Sequence, residues 1–200
     1  MLSYYFNFLV FAFVASITPG PSNLISLMIG SKRGAFAAIP FVIGSSFSAA
    51  LILWLSGYGL VSLFTTFPLA QTIMTWTGAL WISWLAWKLF QSTTQHTLSE
   101  PQKIVGWIEG VTLQLVNPKT WIMAITVNAI FTAPDAQNST PLFYLAVIFF
   151  FVSTPCLLSW SWLGQAAKLI KSFARWERLI NRSLAALLVI TVWFSVFMMQ

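Results

Sequence analysis

Charge is missing from most of this chain, and the places where it is missing decide what the chain can fold into. No Asp, Glu, Lys or Arg falls in 1–31, 34–87, 136–167 or 183–200. These windows suit helices of about 20 apolar residues, the length that crosses a ~30 Å hydrocarbon core. Charged residues make up 7% of the 200 residues, against roughly 25% in an ordinary soluble domain. Hydrophobic residues reach 58% and the mean hydropathy is +0.81. Too little charge is left to cover a surface in water, so the composition excludes a water-soluble globular domain. The chain reads as an all-α polytopic membrane protein.

Other classes fall on single residue types. Cys156 is the one cysteine, which excludes a disulfide framework and a thiol oxidoreductase working through a cysteine pair. His96 is the one histidine, so no Cys/His cluster with metal-ligand spacing exists and neither metal nor cofactor is expected. The net charge of +6 does not point to nucleic acid, because the basic residues sit between apolar windows, where membrane orientation accounts for them. No Lys or Arg precedes Lys32, so a signal peptide's basic region is lacking and the first span is expected to be retained.

The pattern predicts six spans over approximately 3–30, 36–62, 67–90, 107–132, 141–164 and 178–198, forming a single transmembrane domain over 1–200. Lys32 and Arg33 lie between the first and second spans, Lys88 and Lys103 flank the third connection, and Lys168, Lys171, Arg175, Arg178 and Arg182 lie between the fifth and sixth. The connections 62–70 and 133–141 and both termini carry none. Because basic residues stay in the cytoplasm, both termini are expected to be periplasmic. Tyr4, Tyr5, Tyr58 and Tyr144 then fall at outer ends, and Trp87, Trp107, Trp162 and Trp176 at inner ones, as interfacial belts. Over 165–182 the basic residues recur at spacings of three and four. That spacing predicts one stripe on a helix lying in the headgroup plane against anionic lipid.

Two interruptions carry whatever chemistry the chain has. The first span contains Thr18-Pro19-Gly20-Pro21-Ser22-Asn23 and the fourth contains Asn117-Pro118-Lys119-Thr120. A backbone group freed inside hydrocarbon is costly, so such breaks belong in the protein interior or against a wet cavity. Thr18 and Asn117 suit N-caps, with Pro19 and Pro118 at first helical positions. Each break then starts a half-helix near mid-depth, with its unpaired N–H groups and positive dipole end turned inward, which suits a carboxylate. Three spans precede the 91–106 connection and three follow it. The halves, approximately 1–90 and 107–200, therefore form inverted repeats with broken helices in corresponding positions, the pattern of a transporter's binding site. Lys119 lies mid-span, where a charge faces the interior or a wet path. The candidate substrate residues are Thr18, Pro19, Gly20, Pro21, Ser22, Asn23, Asn117, Pro118 and Lys119. Glu109 is read as interfacial, the small face of Gly44, Ser45, Ser48 and Ala49 as close packing, Pro155 as a kink and Cys156 as buried filler.

At these residues the chain resembles the LysE/RhtB family of amino-acid exporters. The signs are Thr18-Pro19-Gly20-Pro21, the stretch from Gly78 to Trp87-Lys88, and Asn117-Pro118-Lys119, in order over about residues 5–197. The resemblance implies a bacterial inner-membrane secondary transporter that exports small amino acids or their derivatives and is driven by the proton gradient. Its partners would be the amino-acid substrate and membrane lipid, with a homo-oligomer left open. Many relatives carry a polar or ionisable residue near Ala49 or Ile52, where this chain is apolar. Two alternatives stay open. A membrane-embedded enzyme would draw on His96 and Glu100, which share one connection but lack a partner constellation. A channel would need a ring of groups from an oligomer.

Overall fold

The computed structural model describes residues 2–60, 68–91, 105–131, 140–168 and 173–198. These fold into eight α-helices, with no strand among the described residues. α1 (Leu2–Ile17) and α2 (Pro21–Arg33) meet at a bend of 58°. A 3₁₀ turn (Ala35–Ala38) leads into α3 (Ile39–Leu55), which ends in a widened turn (Ser56–Leu60). Then come α4 (Pro68–Gln91), α5 (Trp107–Leu115), α6 (Pro118–Phe131), α7 (Thr140–Lys168) and α8 (Phe173–Met198). Both expected breaks are present, between α1 and α2 and between α5 and α6. Pro155 lies inside α7, and Cys156 is buried beside it.

The stretch Ala35–Gly59 and the segment Leu142–Ala167 are each long and apolar enough to cross a bilayer, and the bent α1–α2 pair reads as a third such element. Large apolar side chains face outward on the outer helices: Phe6, Phe13, Phe151, Ile190 and Phe197 are all more than half exposed. So many large apolar side chains turned outward are costly in water and ordinary against lipid tails.

The basic segment 165–182 falls across two described helices, with 169–172 outside the described residues. Lys168 ends α7, whereas Arg175, Arg178 and Arg182 lie on the first turns of α8, five residues earlier than the expected start at 178. Lys171 lies outside the described residues. Extending a helix already nucleated gains a hydrogen bond for each residue fixed, so α8 runs back through its basic end. The Arg182 guanidinium stands 5.1 Å above the Phe90 ring and ties that end to α4.

Two apolar cores flank the breaks. One joins Leu24, Phe41, Ile82, Leu113, Leu157 and Leu188, from α2, α3, α4, α5, α7 and α8. The other joins Phe8, Leu53, Met123, Val127, Leu145 and Phe149, from α1, α3, α6 and α7. Close seams hold the first core. Along α2 and α7, a Cβ on Gly30 would collide with the Ser161 carbonyl, and one on Gly164 with the Leu27 carbonyl. Ser26 Oγ also donates to Leu157 O at 2.7 Å. Along α3 and α5, Gly44 faces the Trp107 carbonyl and Gly110 faces the Phe41 carbonyl, while Ser45 Oγ donates to Gly110 O at 3.3 Å. In lipid, apolar burial gives helices little reason to associate; small residues let backbones approach closely enough for dispersion and hydrogen bonds to hold them. The Gly44–Ser48 face thus packs as expected, but Ala49, beside it, turns toward the space between the two cores.

Candidate functional site

The first break is built differently from its expected form. Thr18 does not cap α2: its Oγ1 turns back to Val14 O at 2.5 Å, and its N–H donates to the same carbonyl, so it finishes α1. The N-cap is Gly20, extended at φ −161°, and Pro21 rather than Pro19 takes the first helical position. The prolines give the reason. A residue preceding proline is pushed out of the α region, so Gly20 cannot be helical and α2 cannot start before Pro21. Pro19 is left exposed on the outside of the bend.

The carbonyls that α1 leaves unpaired are taken up one by one. Ser16 O accepts Asn23 Nδ2 at 2.8 Å, Ile17 O accepts Trp160 Nε1 at 3.2 Å, and Thr18 O accepts Lys119 Nζ at 2.7 Å. The ammonium therefore sits at the negative end of a half-helix, where a cation is favoured. No side chain caps the start of α2. Pro21 has no N–H, and the Leu24 N–H donates to Gly20 O at 3.0 Å. The N–H groups of Ser22 and Asn23, which have no carbonyl one turn back within the helix, are the ones left to the space in front of them.

The second break follows the expected plan and closes on itself. Asn117 Oδ1 accepts the Lys119 N–H at 3.1 Å as an N-cap, with Pro118 next in the chain. Gln114 collects the remaining polar groups: its Oε1 accepts Asn117 Nδ2 at 3.0 Å and Thr120 Oγ1 at 2.7 Å, and its Nε2 donates to Ser45 O at 3.3 Å. Trp121 Nε1 closes the Leu115 carbonyl at 2.8 Å. The two half-helix starts are thus unequal. The start of α6 is capped by its own asparagine; the start of α2 is open.

Between the breaks, at the junction of the two cores, lies a cavity of about 60 Å³, several times the ~10–15 Å³ that one water requires. Of the candidate residues, Gly20, Pro21, Ser22, Asn23, Asn117 and Lys119 line it. Thr18 contributes only through its carbonyl, and Pro19 and Pro118 are not in the wall. Gly20 makes room for the lysine arm, since a Cβ there would stand 3.2 Å from both Lys119 Cδ and Nζ. Sequence reasoning missed Ser16, Ser46, Gln114, Thr120 and Ser153, which also line the cavity. Gln114 carried a readable signal, an amide three residues before Asn117 in an apolar run. The serines carried none, because they are brought together from α1, α3 and α7 by packing. Ala49, Met123, Phe149 and Leu157 form the apolar wall.

The electrostatics of this cavity are one-sided. Lys119 is the only charged side chain among its lining residues. Glu109, the acidic residue nearest it in sequence, is spent one break away, where Oε2 accepts the Gly106 N–H at 2.9 Å and caps α5. The hydroxyls of Ser16, Ser22 and Ser46 are buried without a hydrogen-bond partner in the protein. A lone ammonium, open helix N–H groups and free hydroxyls make a small donor-rich site that suits a carboxylate. No group of three His, Cys, Asp or Glu among the described residues could hold a metal ion. His96 and Glu100 lie outside the described residues.

Comparison with known proteins places the chain among translocators. The family model described as LysE type translocator matches residues 13–199. A cysteine/O-acetylserine efflux protein of Salmonella typhimurium is 26% identical over 182 residues, covering 91% of this chain and 92% of the relative. The cysteine/O-acetylserine efflux protein of Escherichia coli K12 is 27% identical with the same coverage. No solved structure matches the chain at a significant level.

Proposed function

The chain belongs to the LysE type translocator family, and from that premise we propose that it exports small amino acids or their derivatives across the bacterial inner membrane by alternating access, coupled to the proton gradient. One observation carries the reading. The Lys119 ammonium reaches from the second break to the Thr18 carbonyl of the first, over a cavity without a carboxylate among its lining residues. A partly buried charge at mid-span lacking a counter-ion is costly, and a substrate carboxylate would supply one.

In this reading α1–α2 and α5–α6 are each one broken span. With α3, α4, α7 and α8 they make six spans in two inverted triplets over approximately 1–90 and 107–200, with both termini periplasmic. The helix pairings support this, because α2 packs on α7, α5 on α3, and α4 on α8. Counted as whole spans, these are first on fifth, fourth on second and third on sixth, so exchanging the triplets maps each partnership onto another or onto itself. The halves differ, since α2 is the half that meets α7 most, whereas α5, not its sequence counterpart α6, is the half that meets α3 most. The substrate carboxylate would meet Lys119, the open start of α2 with Ser22 and Asn23, and the Asn117-Pro118 turn that sets the lysine in place. Thr18, Pro19, Gly20 and Pro21 shape the break that admits it. The relatives named for cysteine and O-acetylserine efflux favour substrates of that size.

Efflux from proteoliposomes loaded with a panel of small amino acids, including cysteine and O-acetylserine, tests the proposal. Wild type should export at least one of them faster when a proton gradient opposes the efflux direction, and Lys119→Met should lower apparent affinity at unchanged protein amount. Unchanged affinity and rate in Lys119→Met would show the lysine to be structural and the site assignment wrong.

A further inference from the structure

The three partnerless hydroxyls of the cavity do not sit at equivalent places. Ser22 lies in the first turn of α2, at the open positive end. Ser16 lies in the last turn of α1, at the negative end, and Ser46 lies midway along α3. They are 5%, 8% and 0% exposed. A hydroxyl both donates and accepts, so its role depends on what stands opposite.

If the cavity is the export site, its occupant brings two charged groups that leave water together. Lys119 and the start of α2 answer a carboxylate. An α-ammonium has three N–H donors and accepts nothing, so it needs lone pairs. No carboxylate lines the cavity to provide them. Gln114 Oε1 already accepts two donors and Asn117 Oδ1 accepts the Lys119 N–H. The lining hydroxyls of Thr120 and Ser153, though still able to accept, are held by donating to Gln114 Oε1 and Phe150 O respectively. The lone pairs of Ser16 and Ser46 are not engaged, and Ser16 stands where the α1 dipole favours positive charge.

We propose that Ser16 and Ser46 accept the α-ammonium of the exported amino acid while Ser22 joins Lys119 at its carboxylate, so that the cavity selects zwitterions rather than carboxylates in general. The assignment rests on the export reading above. It leaves the wall of Ala49, Met123, Phe149 and Leu157 for the side chain, which must be small.

Binding to the purified full-length protein in detergent separates the possibilities, with three probes. O-acetyl-L-serine and L-alanine share the ammonium, and 3-acetoxypropionate keeps the acetyl arm and carboxylate but lacks the ammonium. Wild type should bind both amino acids, and 3-acetoxypropionate at least tenfold more weakly than O-acetyl-L-serine. Ser16→Ala and Ser46→Ala should each weaken O-acetyl-L-serine and L-alanine by the same factor, about 10- to 100-fold for a hydrogen bond to a charged group. The ligand-free variants should melt no lower than wild type, because each substitution removes a buried hydroxyl that the protein does not satisfy. The assignment is overturned if L-alanine binding is untouched while O-acetyl-L-serine binding falls, because the serines would then read the side chain. It is equally overturned if neither falls, if 3-acetoxypropionate binds wild type as tightly as O-acetyl-L-serine, or if the ligand-free variants lose stability. Failure of wild type to bind either amino acid would instead sink the export reading itself.

Discussion

Lys119 and Gly20 form one device built from two residues on different breaks. The lysine arm passes over the glycine, where a Cβ would come within 3.2 Å of Cδ and Nζ, and ends on Thr18 O. Gly20→Leu would drive a branched side chain into that arm and into the cavity. Transport should be abolished while much of the protein still inserts, because the spans themselves are untouched; full transport at normal expression would reduce the break to a kink. Lys119→Arg asks a different question. The charge is kept, but the planar guanidinium is longer and does not replace a compact ammonium. Export affinity should return only partly, remaining about tenfold below wild type, the equivalent of ~1.4 kcal/mol, whereas complete recovery would mean that only charge matters there. At this scale the sequence was partly legible. Lys119 stood out because a mid-span charge is costly wherever it lies, and Asn117 because its cap is local. Thr18 misled because a good cap residue can equally turn its hydroxyl back one helical turn, and the proline that decides between the two comes three residues later.

At the scale of elements, the breaks were legible and the seams less so. Proline and glycine inside an apolar window announce a break whatever surrounds them, since the lost backbone bonds must be made good. Which helix meets which depends on partners far along the chain, and a glycine gives no sign of the carbonyl it will face. Gly164 and Gly57 show the difference. A Cβ on Gly164 would meet the Leu27 carbonyl, part of a helix backbone that cannot yield without moving α2. One on Gly57 would meet the end of the Leu142 side chain, which can turn aside. Gly164→Ala should therefore destabilise the protein by about 1–3 kcal/mol, the range for overpacking, and Gly57→Ala much less. Thermal unfolding of the two purified variants in one detergent checks this. Equal melting temperatures would mean that the α2–α7 seam is looser than its geometry.

At the scale of the whole molecule, the unequal breaks and the crosswise pairings are consistent with a transporter rather than an enzyme, in keeping with the translocator family. The orientation of the six-span reading rests on charge. Lys32 and Arg33 are exposed at the end of α2, Lys168 ends α7, and Arg182 is exposed on the first turns of α8. The intervening short connections carry no Lys or Arg. Retaining basic residues on the cytoplasmic side is the strongest determinant of topology for loops this short. The exposed aromatics agree with the same direction: Trp87, Trp107 and Trp162 lie outward near the basic ends, and Tyr58 and Tyr144 near the others. Amphipathic rings of this kind settle at the headgroup level. Reporter fusions at Thr66, His96 and Gln137 should then give periplasmic, cytoplasmic and periplasmic signals in turn. Adding two lysines beside Thr66 should weaken its periplasmic signal, because it opposes the bias that orients the second and third spans. A periplasmic signal at His96 would invert the assignment. The open start of α2 would then point at the cavity from the periplasmic side, and the half-helix that receives the carboxylate would be the one nearer the exit.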